Sequence, residues 1–309
     1  MSRSLLVTIL AFLGVAATQA FVVPQPKCQS ALRQQPLSMV RRSSEEYLSS
    51  FLGLDGKVAL VTGSTGGLGR SIAETLLQAG CTVFINGRKL KSTQQAVDEI
   101  AKLVEDEGRV FAAAGDTSDV KDTCAIVEEI KSKVGKLDIL VNNAGINLPE
   151  APFEEQYSPD SWGSINKVNI EGPMNMSKET LPLLKKSPAG RIINVSSMIG
   201  HVGNGDNSLY CLTKGAMLLF TKSLAADMAG KKDSRNLTVN SVSPGIFMTE
   251  MNAKFTEEKE KLASVEATVP MKRLGKPEEL AGAVLYLASD ASSYTMGADL
   301  LVDGGFVAV

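Results

Sequence analysis

Short apolar runs alternate with amphipathic stretches from residue 57 to the end of the chain, and that alternation predicts the fold. Residues 57–62 (KVALVT), 81–85, 110–114, 137–141 (LDILV), 191–195 (RIINV), 238–242 (TVNSV) and 300–302 are compact, β-rich runs of strand length. Between them the apolar period changes to that of a helix. Ile72, Leu76 and Ala79 recur at helical spacing over 71–78, and Gly80 supplies a stop. Residues 92–104 place Val97, Ile100, Ala101 and Val104 on one face. Ser118 is the expected cap of a helix running to Val134, with Cys124, Val127 and Ile130 as its stripe. Residues 177–184, 210–228 and 277–288 are further helices. Strands alternating with helices imply an α/β fold, a doubly wound parallel sheet covered on both faces. In such a sheet the ligand site lies at the carboxyl ends of the strands.

The motifs fall at those ends. The first strand runs into Thr62-Gly63-Ser64-Thr65-Gly66-Gly67-Leu68-Gly69, a G-x-x-x-G-x-G turn built on Gly63, Gly67 and Gly69. Glycines there permit positive φ and let backbone N–H groups approach a pyrophosphate at a helix start. The second strand ends in Asn86-Gly87-Arg88-Lys89, with no acid to bind a ribose 2′-hydroxyl. Two cations there fit a 2′-phosphate, so NADP(H) is expected rather than NAD(H). Tyr210 and Lys214 stand four residues apart and project from one helix face. A phenol with an ordinary pKa of about 10 is a weak proton donor and acceptor at neutral pH, and a neighbouring ammonium is expected to lower it. Ser197 ends the fifth strand in Asn194-Val195-Ser196-Ser197, placed to hold a substrate oxygen beside the phenol.

Together these motifs resemble the short-chain dehydrogenase/reductase family, from about residue 54 to the C-terminus. The resemblance implies a Rossmann-type single domain and oxidoreduction between a nicotinamide and a carbonyl or secondary alcohol. It also assigns roles. Tyr210 is the general acid or base, Lys214 lowers its pKa and binds the nicotinamide ribose, and Ser197 hydrogen-bonds the carbonyl oxygen. Asn169, in Val168-Asn169-Ile170, matches the fourth catalytic position and supports a water in the proton relay; a helix-kink role is the alternative. Gly63, Ser64, Gly67, Leu68 and Gly69 form the cofactor turn, with Arg88 behind it. Asp116 matches the adenine contact, and Asn143, in Asn142-Asn143-Ala144-Gly145, lines the cofactor. Pro244, Gly245 and Thr249 match the segment beside the nicotinamide. The family resemblance requires no metal and implies a homotetramer.

Composition adds location and excludes partners. With 32 Lys and Arg against 34 Asp and Glu, the net charge of −2 leaves no footprint for nucleic acid. Residues 1–20 read as a signal peptide, with Arg3, an apolar 5–17 core and Thr18-Gln19-Ala20 as a cleavage pattern. Residues 21–50 are basic, Ser-bearing and free of acids until Glu45, which reads as a transit segment ahead of a 51–309 domain. That two-part leader resembles those directing proteins to secondary plastids, so a stromal location is expected; plain secretion is the alternative. Cys81, Cys124 and Cys211 are scattered and odd in number, unlike a disulfide framework or a metal site.

Substrate identity stays open between two readings. Residues 190–197, the Tyr/Lys helix and residues 273–290 resemble plastid 3-oxoacyl-acyl-carrier-protein reductases. Lys185, Lys186, Lys231, Lys232 and Arg235 would then face the acidic acyl carrier protein, or form a solvated face. Residues 146–158 (INLPEAPFEEQYS) instead resemble gluconate- or polyol-type dehydrogenases. A third reading, a cofactor-binding regulator, normally accompanies loss of the Tyr or Lys. His201 reads as a substrate contact or a hydrogen-bonded loop residue, Cys211 and Trp162 as packing residues, and Met248, Met251 and Phe255 as apolar cover or packing.

Overall fold

The computed structural model describes residues 43–249 and 259–309. The leader assignments to 1–42, and Met251 and Phe255, lie outside the described residues. Seven parallel strands form one sheet: β1 (Val58–Val61), β2 (Thr82–Ile85), β3 (Val110–Ala112), β4 (Ile139–Asn142), β5 (Arg191–Val195), β6 (Thr238–Pro244) and β7 (Asp299–Val302). Their order is β3-β2-β1-β4-β5-β6-β7. The order reverses between β1 and β4, which opens the crevice used by ligands in sheets of this kind. This is the α/β Rossmann-type architecture expected from the alternation.

Alternate residues of each strand feed two cores. Ala59, Val61, Val83 and Ile85 pack on one face against Ile72 and Leu76 of α2 (Gly67–Gln78) and Ile100 of α3 (Leu90–Ala101). Leu280, Val284 and Leu287 of α10 (Pro277–Ala288) complete that layer. Val58, Leu60 and Phe84 pack on the other face against Ile126 and Ile130 of α4 (Val120–Val134). Leu184 of α7 (Gly172–Leu184) and Leu224 of α8 (Ser208–Met228) close it. Each such aliphatic side chain contributes about 1.5–3 kcal/mol on burial, and the sheet that carries the site is therefore rigid.

Four expectations shift. Helix α2 begins at Gly67, inside the glycine turn, because three glycines hide its amphipathic pattern. The cap of α4 is Asp119, whose carboxylate accepts from Lys121 and Asp122 N–H, whereas Ser118 turns back to Asp116. Cys124 is exposed, and the buried stripe of α4 is Thr123, Ile126, Val127 and Ile130. Helix α1 (Ser44–Leu52), closed by a Ser43/Glu46 capping box, straddles the boundary drawn at residue 51. The remaining helices are α5 (Phe153–Gln156), α6 (Pro159–Asn166) and α9 (Lys259–Thr268).

Candidate active site

The glycine turn is held from beneath by side chains that never leave the interior. Thr62 Oγ1 accepts the N–H groups of Asn143 (2.9 Å) and Ala144 (3.0 Å). Asn143 Nδ2 donates back to the carbonyls of Thr62 (2.8 Å) and Gly63 (3.1 Å). A Cβ at Gly69 would lie 2.4 Å from that same Nδ2, so only glycine fits the interlock. Gly63 and Gly67 take φ of +61° and +57°, the left-handed region. Asn143 thus fixes the glycine turn with its side chain.

Ser64 also supports the turn from below. It is fully buried, its Oγ donating to Val61 C=O (2.7 Å) and accepting from Asn86 N–H (3.0 Å). The half-buried Thr65 follows it in the turn. The Thr65 methyl presses on the next loop, since a Cβ at Gly87 would meet its Cγ2 at 2.6 Å and Thr93 Oγ1 at 2.8 Å. Asn86 ties three strand ends together. Its Oδ1 accepts Gly63 N–H (3.2 Å), and its Nδ2 donates to Ala113 C=O (2.8 Å) and Gly115 C=O (3.1 Å).

These features fit a dinucleotide. Helix α2 opens at Gly66 with no side-chain cap, so its first N–H groups remain available to an anion. A Cβ at Gly67 would meet nothing within 4 Å, which marks open space over that terminus. Arg88 is exposed and, among the described residues, has no ion-pair partner, as a 2′-phosphate contact requires. Leu68 is half-buried and packs toward the core. The Asp116 carboxylate accepts Ser118 N–H (2.9 Å) and Oγ–H (2.7 Å), which forms the turn after β3. Gly245 follows Pro244 at the end of β6, with its N–H donated to Val302 C=O (2.9 Å). A Cβ there would lie 2.6 Å from Asp303 Cα. Thr249, half-buried, is the last described residue before 259.

Tyr210 and Lys214 lie in the first turns of α8, and the loop after β5 is locked against them. Lys214 Nζ donates to Val195 C=O (2.9 Å) and sits 5.5 Å from the Tyr210 ring centroid. Ser196 Oγ donates to Lys214 C=O (2.8 Å), and a Cβ at Gly200 would come within 2.9 Å of the Lys214 backbone. Ser197, 8 % exposed, caps the single turn Met198–Gly200 that makes this approach. The serine is therefore delivered to the Tyr/Lys face by close backbone packing.

Asn169 sits inside a π-helical turn, Lys167–Glu171, between α6 and α7. Such turns concentrate at functional positions. Its Oδ1 accepts Ile146 N–H (2.8 Å), and its Nδ2 donates to Ile146 C=O (2.9 Å) and Thr213 Oγ1 (3.1 Å). A Cβ at Gly145 would lie 3.4 Å from Asn169 Oδ1 and 3.5 Å from Lys214 Nζ. Asn169, Lys214 and the 142–145 turn thus converge, and the kink and catalytic readings of Asn169 describe the same residue.

The protonation states differ from expectation. Burial pushes the Tyr210 phenol up to about 12, with the Cys211 thiol adding to the rise. Burial pulls Lys214 down to about 8. Desolvation is the largest effect on the phenol and the one effect on the ammonium. The phenol is protonated at neutral pH and ready to donate.

Other candidates settle differently. His201 Nε2 is 2.9 Å from Asp299 Oδ2 and 3.2 Å from Ser243 Oγ, a hydrogen-bonded loop residue. Cys211 and Trp162 are half-buried rather than core, and Met248 is exposed. Lys185, Lys186, Lys231, Lys232 and Arg235 follow the carboxyl ends of α7 and α8, where β5 and β6 begin. Along α8 alone, Tyr210 and Met228 are about 27 Å apart, so this basic group lies far from the Tyr210 end of the helix. Lys185 instead pairs with Asp233 (2.8 Å). Thr62, Asn86, Thr213 and Gln156 carry the site's geometry; each lies inside a stretch that the sequence marks, Thr213 between Tyr210 and Lys214 and Gln156 within 146–158, but none is a functional candidate by residue type.

Comparison with known proteins agrees with this geometry. A family model described as Enoyl-(Acyl carrier protein) reductase matches residues 63–307. The 3-oxoacyl-[acyl-carrier-protein] reductase FabG of Aquifex aeolicus is 40% identical over 255 residues, 82% of this chain and 98% of that relative. That of Vibrio harveyi is 36% identical over 258 residues, 84% of this chain and 100% of the relative. A gluconate 5-dehydrogenase from Burkholderia cenocepacia, solved with NADP and tartrate, superposes with a TM-score of 0.75 at 32% identity. That match covers 84% of this chain and 99% of the dehydrogenase.

Proposed function

Because the chain belongs to the short-chain dehydrogenase/reductase family and is an oxidoreductase acting on CH–OH groups with a nicotinamide dinucleotide, we propose that it uses NADPH to reduce a 3-oxoacyl thioester. The observation that carries this reading is the Ser197 turn packed onto Lys214, beside a phenol held protonated at neutral pH. The nicotinamide supplies the hydride when bound. Ser197 Oγ–H orients the ketone oxygen, Tyr210 donates its proton to that oxygen, and Lys214 holds the Val195 carbonyl while flanking the phenol. The FabG relatives support the thioester, with acyl carrier protein as the partner that presents it.

A second reading is favoured by one observation: the matched Burkholderia structure is a gluconate 5-dehydrogenase at similar identity. NADPH oxidation by residues 43–309 separates the two. Faster turnover of a 3-oxoacyl thioester than of 5-ketogluconate or a small diketone, improved further by carrier protein, supports the first; keto-sugar preference removes it.

Arg88 is proposed to set NADP(H) preference. Arg88→Ala is expected to raise the NADPH KM about 10–100-fold, the loss of one charge-assisted contact. The NADH KM should hardly move, and equal changes with both cofactors would reject the role. Two further proposals follow from the leader and the surface. A plastid stromal location rests on residues 1–50 and is tested by imaging a full-length fluorescent fusion. A homotetramer is supported by Leu212 and Leu219, exposed on α8, and is tested by sedimentation.

A further inference from the structure

Helix α8 carries the catalytic tyrosine but does not cap itself. Its N-cap residue, Asn207, makes no side-chain bond to the first turn, where helix N–H groups lack intrahelical acceptors. The acceptor comes from 53 residues away: Gln156 Oε1 receives Leu209 N–H at 3.2 Å. Leu209 directly precedes Tyr210. Gln156 is 7 % exposed, and its Nε2 donates to Pro149 C=O (3.1 Å) and Asp206 C=O (3.1 Å). Asp206 takes φ +62°, a left-handed conformation unfavourable to a side-chain-bearing residue. Ala151 N–H also donates to its carbonyl (3.1 Å).

Residues 146–157 therefore form a strap held at both ends. Asn169 brackets Ile146 and bonds Thr213, whose hydroxyl donates to Tyr210 C=O (2.9 Å). Gln156 holds the other end to the start of the same helix. Asn147 Nδ2, donating to Asn207 Oδ1 (3.1 Å), adds a link between them.

We propose that Gln156 is a positioning residue for Tyr210, joining the 146–157 strap and the first turn of α8 into one mechanical unit. A substrate that settles against the strap thereby fixes the phenol. The catalytic part of this inference rests on the reductase reading above; the structural coupling does not.

Two variants separate the halves of the clip. Gln156→Leu removes all three bonds. It is expected to lower kcat at least about tenfold and raise the ketone KM, with the NADPH KM unchanged, since misplacement of the acid slows chemistry without touching the cofactor turn. Gln156→Glu keeps the acceptor for Leu209 but sets a carboxylate oxygen against the Pro149 and Asp206 carbonyls. Its kcat should recover toward the parent at low pH, where the buried acid is protonated and donates to one carbonyl, and fall at high pH. Hydrogen exchange gives a readout free of turnover: in Gln156→Leu the amides of Leu209 and Ala151 should exchange faster together, with the β-sheet amides unchanged. Unaltered kcat and KM in a folded Gln156→Leu protein, or Leu209 and Ala151 protection that stays as in the parent, overturns the proposal. Parent protein inactive on every carbonyl overturns the reductase reading, and the exchange result then decides the coupling by itself.

Discussion

Tyr210→Phe is expected to slow ketone reduction by about 10²–10⁴-fold, the range for loss of a positioned general acid. Nicotinamide binding should persist. The substitution removes one oxygen, leaving the ring, its contact with Lys214 and the cofactor turn in place. The glycine turn depends on Thr62, Asn143 and Asn86, none of which touches the phenol oxygen. NADPH fluorescence titration beside steady-state turnover checks both halves of the claim. Residual activity within about tenfold of the parent would mean that the proton comes from elsewhere. The raised phenol pKa also orients the reaction: alcohol oxidation needs the phenolate, so its rate should climb with pH across the alkaline range, while reduction stays flat through neutrality.

Lys214→Met is expected to cut activity by a comparable factor, about 10²-fold or more, yet to leave the protein folded. Two effects on stability oppose each other at neutral pH. Removing the ammonium relieves the penalty that depresses its pKa from 10.5 to about 8, about 3 kcal/mol. It also leaves the buried Val195 carbonyl without its donor, a loss of about 1–3 kcal/mol. The net change should stay within about 2 kcal/mol. The pH profile distinguishes the two proteins further. Below pH 8 the lysine is protonated in both folded and unfolded chains, and the penalty is fully present. Between about 8 and 10.5 the unfolded chain binds more protons, so the parent gains stability as pH rises. Tyr210 acts in the opposite sense, because the unfolded phenol ionises near 10 and the folded one near 12. Denaturant midpoints from pH 7 to 11 should show a rise in the parent that Lys214→Met lacks. A rise in both would assign it to another group.

The sheet was legible because its central strands are buried on both faces and read as compact, largely apolar runs. The helix starts were not, since Gly67 in α2 serves a left-handed φ and Gly69 a close approach, and neither carries an amphipathic signal. The chemistry of Ser197, Tyr210 and Lys214 was visible as residue types at fixed spacing. Their electrostatics was not, because desolvation depends on how completely the surroundings close, which spacing does not encode. Ser64 shows the same limit: the bonds of its hydroxyl to Val61 and Asn86 beneath the turn are not encoded in the motif's spacing. Gln156 had no sequence signal, because its partners lie 7, 50 and 53 residues away in the chain.

The crowding between Thr65 and Gly87 bears on how cofactor choice can be rewritten, in evolution or at the bench. An NAD-selective version would gain an acid near the end of β2. Position 86 cannot accept one, because the Asn86 amide donates to two carbonyls that a carboxylate would repel. Position 87 cannot accept one first either, since any side chain there collides with the Thr65 methyl and Thr93 hydroxyl. Substitutions at 65, 87 and 93 are therefore order-dependent: trimming Thr65 and Thr93 opens a route that Gly87→Asp alone finds closed. On the role proposed for Arg88, cofactor preference in this chain is guarded by its neighbours' bulk as well as by that charge.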